Sequence, residues 1–339
     1  MKALITGATG FVGNHVARLL VGAGHTVRAL ARPGSNLRAL EGLPVERFEG
    51  DLRNRASLAA ALDGMDWVFH VAADYRLWSA HPEDIYETNV TGTRNLLEAA
   101  VCAGVAKFIY TGTVATVAVD RPELPNEATT TSLGEMVGHY KRSKWLAERE
   151  VLKAAEAGLP VVIAMPTTPV GPWDWKPTPT GKIIVDFLNG RMPGYVETGL
   201  NFIGVEDVAA GHLLVAEKGK IGERYLLGSE NLTLKELLDT LARIAGRPAP
   251  RLKIPYTLAL GVAFAENTVS RLLGRVPQIP LEGVRIARHR MFVDCSKALR
   301  ELDFEPGRVA PALERAVRWY ESNGYVKARS QRLVHAPAA

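Results

Sequence analysis

Cysteine is nearly missing from this 339-residue chain, which holds only Cys102 and Cys295. The two stand far apart with no paired spacing, so a disulfide-stapled scaffold and a cysteine-built zinc site are excluded, and no metal centre is expected. A reducing cytosol is the expected compartment. Also missing is any apolar run approaching the ~20 residues that cross a bilayer. The longest in the C-terminal half, around Leu258 to Phe264, suits a buried helix, with interfacial membrane contact as the other reading. The chain opens Met1-Lys-Ala-Leu-Ile-Thr-Gly7, which is a strand entering a turn and not a signal-peptide pattern. No block of like charge is present either. Lys and Arg number 41 against 36 Asp and Glu, a net +5, but they are dispersed. A nucleic-acid partner is therefore not expected, whereas a mild preference for an anionic ligand such as a phosphorylated cofactor is.

What is present is ordinary globular material, 47% hydrophobic and 23% charged, ample for a substantial core. Short continuous apolar runs mark strands at Ala3–Thr6, Thr26–Ala31, Val45–Glu49, Trp67–Val71, Lys107–Thr111 and Val161–Met165. Runs without period-two alternation fit strands buried on both faces of a parallel sheet. Helical stretches lie between them at Phe11–Ala23, Ala56–Leu62, Glu83–Ala103 and Tyr140–Ala157. Gly24, Gly104 and Gly158 follow three of these where a left-handed C-cap is wanted. The alternation predicts an α/β fold of the Rossmann type, a doubly wound parallel sheet with helices on both faces.

Beyond Pro166 the texture changes. Pro166 to Pro193 reads as a long irregular segment, with four more prolines, Trp173 and Trp175, of the kind that serves as a lid or binding loop. Thr233-Leu-Lys-Glu236 is a capping box opening a helix that ends near Gly246, and Ala310–Ser322 is a further helix. The expected organisation is a dinucleotide-binding unit over 1–165 with strands returning from 200–230. A smaller α/β substrate-binding region spans 166–200 and 230–325, and a patternless tail covers 326–339.

The chemistry begins at Gly7-Ala8-Thr9-Gly10-Phe11-Val12-Gly13, immediately after the first strand and opening the first helix. Small residues there let the backbone approach a pyrophosphate, whose charge the helix N–H groups and macrodipole stabilise. NAD-binding versions place a carboxylate about 20 residues on, against the ribose 2′-hydroxyl. This chain has Ala29-Leu-Ala-Arg32 there, with Arg38 close behind and no carboxylate. A guanidinium binds a 2′-phosphate through charge-assisted hydrogen bonds, so NADP(H) is expected in preference to NAD(H), which stays possible. Asp51 is placed for the adenine amine or, equally, to cap the next helix.

Tyr140-Lys-Arg-Ser-Lys144 puts a phenol and an ammonium four residues apart on one helical face. A free phenol titrates near ~10, too high for easy proton transfer at neutral pH, and a neighbouring cation favours the phenolate. The spacing is weak by itself; its position, on the helix after the fifth strand of a dinucleotide fold, gives it weight.

The Gly7/Gly10/Gly13 motif, Tyr140/Lys144 and Pro166-Thr-Thr-Pro-Val-Gly-Pro172 together resemble the extended short-chain dehydrogenase/reductase superfamily. Within it the chain resembles the dihydroflavonol-4-reductase-like branch. The segments His70-Val-Ala-Ala-Asp-Tyr-Arg-Leu-Trp78, His139–Lys144, Lys176–Gly181 and Asp186–Met192 are most similar to proteins labelled hopanoid-associated sugar epimerase. The resemblance covers nearly all of residues 1 to 325. It implies cofactor contacts from Asp51, Leu52, Val71, Ala72, Ala73, Pro166 and Thr168 besides the glycine turn, Arg32, Tyr140 and Lys144. It places the substrate-orienting hydroxyl at Thr113, where the family normally has serines in place of Gly112 and Thr113, with Thr111 or Thr116 as substitutes. Asn89 matches the family's relay asparagine. The resemblance also implies a homodimer through the helices around 83–103 and 140–157.

Other residues carry two readings. His70 lines the cofactor cleft or is a satisfied core residue. Tyr75, Trp78, Trp173 and Trp175 shape an apolar substrate pocket or pack in the core. Glu206-Asp207 reads as a helix start. Three functions compete: NADPH-dependent reduction of a ketone or aldehyde, epimerisation or dehydration of a sugar through transient oxidation, and dinucleotide binding without chemistry. The intact Tyr140/Lys144 pair argues against the last, and Arg32 favours the first.

Overall fold

The computed structural model describes residues 1–117 and 121–327. The expected tail therefore lies, from 328 onward, outside the described residues. Six strands fall where the apolar runs predict them: β1 (Lys2–Thr6), β2 (Thr26–Ala31), β3 (Glu46–Glu49), β4 (Trp67–His70), β5 (Lys107–Thr111) and β6 (Val161–Pro166). Between them run α1 (Phe11–Gly22), α2 (Arg55–Leu62), α3 (Glu83–Tyr86), α4 (Gly92–Ala103) and α5 (Gly138–Glu156). Gly24, Gly104 and Gly158 take positive φ of 81°, 64° and 101° just past α1, α4 and α5, where a side chain would be strained.

The main sheet has seven strands in the order β10-β6-β5-β4-β1-β2-β3, with β10 being Arg224–Leu227. Every pairing in it is parallel. Successive residues feed opposite faces, which is why alternation is invisible in the sequence. Phe108 joins the apolar layer under α2, α4 and α5, whereas Ile109 joins the layer under α1 and α7 (Val205–Lys218). β6 is buried along its whole length. At about 1.5–3 kcal/mol for each large aliphatic or aromatic side chain taken from water, these two layers dominate the stability of the sheet.

The remaining elements are β7 (Thr168–Val170), α6 (Pro179–Leu188), β8 (Gly194–Tyr195), β9 (Gly199–Gly204), β11 (Glu230–Thr233), α8 (Leu234–Ala245), β12 (Leu252–Lys253), α9 (Tyr256–Leu272), α10 (Leu281–Ile286), β13 (Arg290–Met291), α11 (Ser296–Leu302) and α12 (Val309–Ser322). β7, β9, β11 and β13 form a second sheet, and β8 pairs with β12. A third apolar cluster joins α6, α8, β9 and α12. The Thr233/Glu236 capping box is formed, and α8 ends on Gly246 in the left-handed region.

Three expectations need correction. The stretch Pro166–Pro193 is not irregular throughout, because it holds β7 and α6. Thr178 caps α6 by accepting from the Gly181 amide, and Pro179 occupies the first turn, where its missing N–H costs nothing. The helix over Glu83–Ala103 is interrupted by a π-helical turn at Glu87–Thr91, which carries Asn89. Finally, the run around Leu258 to Phe264 is helical but not buried: only Ala263 and Ser270 of α9 are, while Leu258 is 59% and Phe264 64% exposed.

Candidate active site

The sheet order reverses between β1 and β4, and the loops at the carboxyl ends of the strands meet over that point. Gly7 turns there at φ +76°, and a Cβ on it would lie 2.6 Å from the Ala72 amide nitrogen. A Cβ on Gly13 would collide with the Gly7 carbonyl oxygen. The Gly10 amide donates to that same oxygen at 2.9 Å, and Gly10 is the N-cap of α1 with no side-chain cap. Backbone therefore packs on backbone, leaving the free N–H groups of α1 for an anion. These residues fit a dinucleotide pyrophosphate. Val71, Ala72 and Ala73 follow β4 beside this turn, and the Ala72 amide donates to the Thr6 hydroxyl.

Arg32 directly follows β2 as an exposed side chain, near enough to Asp51 to help hold its carboxyl below the usual range. The larger cause is Arg53, which donates two side-chain hydrogen bonds to Asp51. Asp51 does not cap the next helix. Asn54 does, its side chain accepting from the Ser57 amide, because α2 starts at Arg55. Leu52 is buried, and its carbonyl accepts from Asn95. Arg38 is not at the end of β2 but lies 3.9 Å over the Trp175 ring.

Tyr140 and Lys144 share the inner face of α5. Lys144 is buried, donates to the Thr111 carbonyl at 2.8 Å and lies 4.3 Å from the centre of the Tyr110 ring. Burial lowers its pKa to about 7, with Glu148 one turn further along α5 pulling the other way. Burial raises the Tyr140 phenol above its ordinary value, and the polar Thr113 side chain opposes this. The four-residue spacing predicts that Lys144 favours the phenolate. In this arrangement the ammonium is spent on Thr111 and is itself disfavoured by desolvation, so burial of the phenol prevails. Of Thr111, Thr113 and Thr116, Thr113 is the one whose side chain acts on the Tyr140 phenol, while its hydroxyl also accepts from the Ala115 amide at 3.2 Å. The Thr111 hydroxyl is bonded to His212, and that of Thr116 donates to Glu148 and the Thr113 carbonyl.

Asn89 is held in the π-helical turn with every polar atom used. It donates to the Ser143 hydroxyl and the Asp74 carbonyl, both at 2.9 Å, and accepts from the Asp74 amide. Ser143 in turn donates to the Tyr140 carbonyl at 2.8 Å. His70 is fully buried, with its ring nitrogens bonded to Thr6 and Thr93, and burial drives its pKa down to about 3. It is a neutral, satisfied core residue rather than a residue lining the cleft.

The loop after β7 closes one side. Trp173, at an unusual φ of 69°, lies 3.7 Å from the Arg18 guanidinium. Trp175 packs edge-on against Trp319 at 4.8 Å, so it belongs to an aromatic cluster with Tyr320 and Tyr325. Trp78 is half-buried and Tyr75 more exposed. Pro166 ends β6, and Thr168 opens β7, pairing with Phe202 of β9. Two residues escaped the sequence reading. Asp174 is buried, with one carboxyl oxygen accepting from Thr178 and Tyr320 and the other unpartnered, and burial lifts its pKa to about 6. Glu148 is buried and pairs with Arg224 at 3.0 Å. The i+4 spacing from Lys144 is the only signal that could have found it. Glu206 and Asp207 do start a helix, in the first turn of α7.

A sequence model described as "NAD dependent epimerase/dehydratase family" matches residues 3–228. The chain is 44% identical, over 95% of both proteins, to a protein of Synechocystis sp. provisionally named dihydroflavonol 4-reductase. It is 36% identical to "Sterol demethylase protein B" of Methylococcus capsulatus, covering 96% of this chain and all of that one. The fold is shared with a crystal structure described as a nucleoside-diphosphate-sugar epimerase from Pseudomonas aeruginosa, at 30% identity, TM-score 0.80, and coverage of 96% of this chain and 99% of that one. With these matches go the extended short-chain dehydrogenase/reductase superfamily and an enzyme of its NAD(P)-dependent type. No helix among the described residues is long and apolar enough to cross a membrane.

Proposed function

We propose that this chain, which belongs to the NAD dependent epimerase/dehydratase family, is an NADP(H)-dependent reductase of a small ketone or aldehyde. The observation that carries the reading is the pairing of the buried Thr113 side chain with the half-buried Tyr140 phenol, on which it acts directly, with Lys144 one turn further along α5. When bound, the reduced nicotinamide supplies the hydride. Thr113 and Tyr140 would hold the substrate oxygen from two sides, and the Tyr140 hydroxyl would give it a proton. A phenol kept protonated by burial is suited to that role as an acid. Lys144, fixed by Thr111, would bind the nicotinamide ribose and replace the lost proton through the local hydrogen bonds. Asn89, through Ser143, would hold α5 and the Asp74 loop in register. Arg32, exposed at the end of β2 with no carboxylate in the corresponding position, supports NADP(H) over NAD(H). Tyr75 and Trp78, from the segment after β4, would form the apolar side of the substrate pocket together with Trp173 of the substrate-binding region, 166–200 and 230–325. α4 and α5, packed side by side and joined by the exposed Arg94–Glu150 pair, would supply a two-fold contact.

A second reading, transient oxidation in a hopanoid-associated sugar epimerase or dehydratase, is favoured by the family description and by the epimerase fold match. One experiment separates the two. The purified protein is analysed for retained dinucleotide, and NADPH absorbance is followed against a panel of carbonyl compounds. Net NADPH consumption, lost in Tyr140→Phe, supports the reductase. Tightly retained NAD with no turnover overturns it.

A further inference from the structure

The helix α9 is amphipathic in the reverse sense. Its polar residues face the protein. Glu266 accepts from the amides of Gln278 and Ile279, Asn267 donates to the carbonyls of Ala263 and Ile279, and Ser270 is fully buried. Its apolar residues face outward: Leu258, Val262 and Val269 are 59%, 49% and 45% exposed, and Leu272 is 81% exposed. These four recur at helical spacing, with Gly261, Ala265 and Thr268 between them, so no charge interrupts the stripe. The Glu266 and Asn267 bonds draw the following loop alongside, adding Leu273 and Val276 at 67% and 69% exposure. A solvated helix faces the opposite way, and so large a contiguous apolar face marks an interaction surface.

The charge around the face is one-sided. Between Pro248 and Leu281 the only acidic residue is Glu266, turned inward, whereas Arg251, Arg271 and Arg275 are exposed at the rim. A second copy meeting this face with its own would bring the same arginines and no carboxylate from 248–281 but the inward Glu266. A bilayer with anionic headgroups supplies both missing parts, hydrocarbon for the stripe and negative charge for the rim. The helix also sits next to the candidate active site. α9 packs on α10, whose Glu282 side chain lies against Gly138 at the start of α5, and Leu77 lies beside Gly283.

We propose that α9 and the loop to Val276 form a monotopic membrane-docking element, by which the enzyme rests on an anionic lipid surface with its site mouth nearby. The inference is independent of which reaction the site performs.

The test is cosedimentation of the full-length protein with phosphatidylcholine vesicles, with and without phosphatidylglycerol. Binding to the anionic vesicles, weakened by added salt, is expected. Leu258→Glu/Leu272→Glu should reduce it about tenfold or more without changing dinucleotide affinity or melting temperature, since both side chains are exposed. Arg271→Glu/Arg275→Glu should remove the preference for phosphatidylglycerol. The proposal is overturned if the wild-type chain stays in the supernatant, or if the leucine variant pellets as before. A leucine variant that instead changes the sedimentation coefficient, with vesicle binding unaltered, would assign the face to contact between copies.

Discussion

The Thr113 side chain, just past the end of β5, acts on the phenol of Tyr140 in the first turn of α5, drawing down a pKa that burial raises. Two hydroxyls converging on one point are what is required to hold a reacting oxygen while a proton is passed to it. Thr113→Ala should lower kcat by roughly 100-fold. Thr113→Ser, which keeps the hydroxyl, should stay within about tenfold of wild type. An alanine variant with unchanged kcat in the carbonyl assay would remove Thr113 from the mechanism.

Burial keeps the Tyr140 proton on to higher pH than in a free phenol. Reduction uses the protonated phenol and alcohol oxidation the ionised one, so oxidation of the product alcohol should rise with pH, whereas kcat/KM for a carbonyl should fall above about pH 7 as Lys144, which titrates at about 7, loses the proton it relays. A rise in the oxidation rate with pH that reduction does not share is the expected signature, and a reduction rate that climbs with it would contradict the assignment.

In the proposed preference for NADP(H) Arg32 would act alone, since Arg38 lies over the Trp175 ring. Arg32→Glu should shift the NADPH-to-NADH affinity ratio toward NADH by about tenfold to a hundredfold, the worth of one charge-assisted hydrogen bond of about 1.5–3 kcal/mol. Fluorescence titration with both cofactors measures it, and an unchanged ratio would reduce Arg32 to a surface charge.

Gly13→Ala puts a methyl group against the Gly7 carbonyl. Because the obstacle is backbone, the turn itself must open. The expected result is dinucleotide affinity reduced by ~100-fold or more, with a stability loss of about 1–3 kcal/mol from overpacking. Binding at wild-type strength would mean the cofactor lies elsewhere.

Asp174 offers a pH test of packing. Its carboxyl titrates at about 6 in the folded chain, above the ordinary value of about 3.9. Between these values the folded state holds the proton more firmly than the unfolded one, so the group lowers stability as pH rises and its full cost stands above pH 6. Asp174→Asn lacks this term. Its stability relative to wild type should therefore improve between about pH 4 and about pH 7, by about 3 kcal/mol at most. Denaturant titrations at the two pH values measure the change; no difference between them contradicts the assignment.

The sheet was legible because both its faces are covered. Lys107–Thr111 and Val161–Met165 read as continuous apolar runs, and the residues after them fall on the edge where ligands bind. The glycine turn was legible because each glycine answers a close backbone approach. The second sheet was not, since β7, β9, β11 and β13 are short and pair over distances of up to about a hundred residues, which no local pattern records. The π-helical turn under Asn89 has no sequence signature among those considered. Lys144 was found by its spacing, but its hydrogen bond to the Thr111 carbonyl depends on α5 lying over β5. Asp51 and Asn54 illustrate the smallest scale of error: three residues apart, either could cap α2, and the helix boundary chose Asn54.

The place of β10 beside β6 has a consequence for how the chain is made. Residues 167 to 223 separate the two strands, so β6 leaves the ribosome with one edge unpaired until the chain has grown past Leu227. An unpaired, wholly apolar strand is a template for pairing with other chains. During synthesis the inserted segment with β7, α6 and β9 therefore stands between an incomplete sheet and the strand that seals it. A stalled or truncated product ending before β10 would expose that edge, which ties the solubility of the nascent protein to a strand that contributes nothing to the glycine turn.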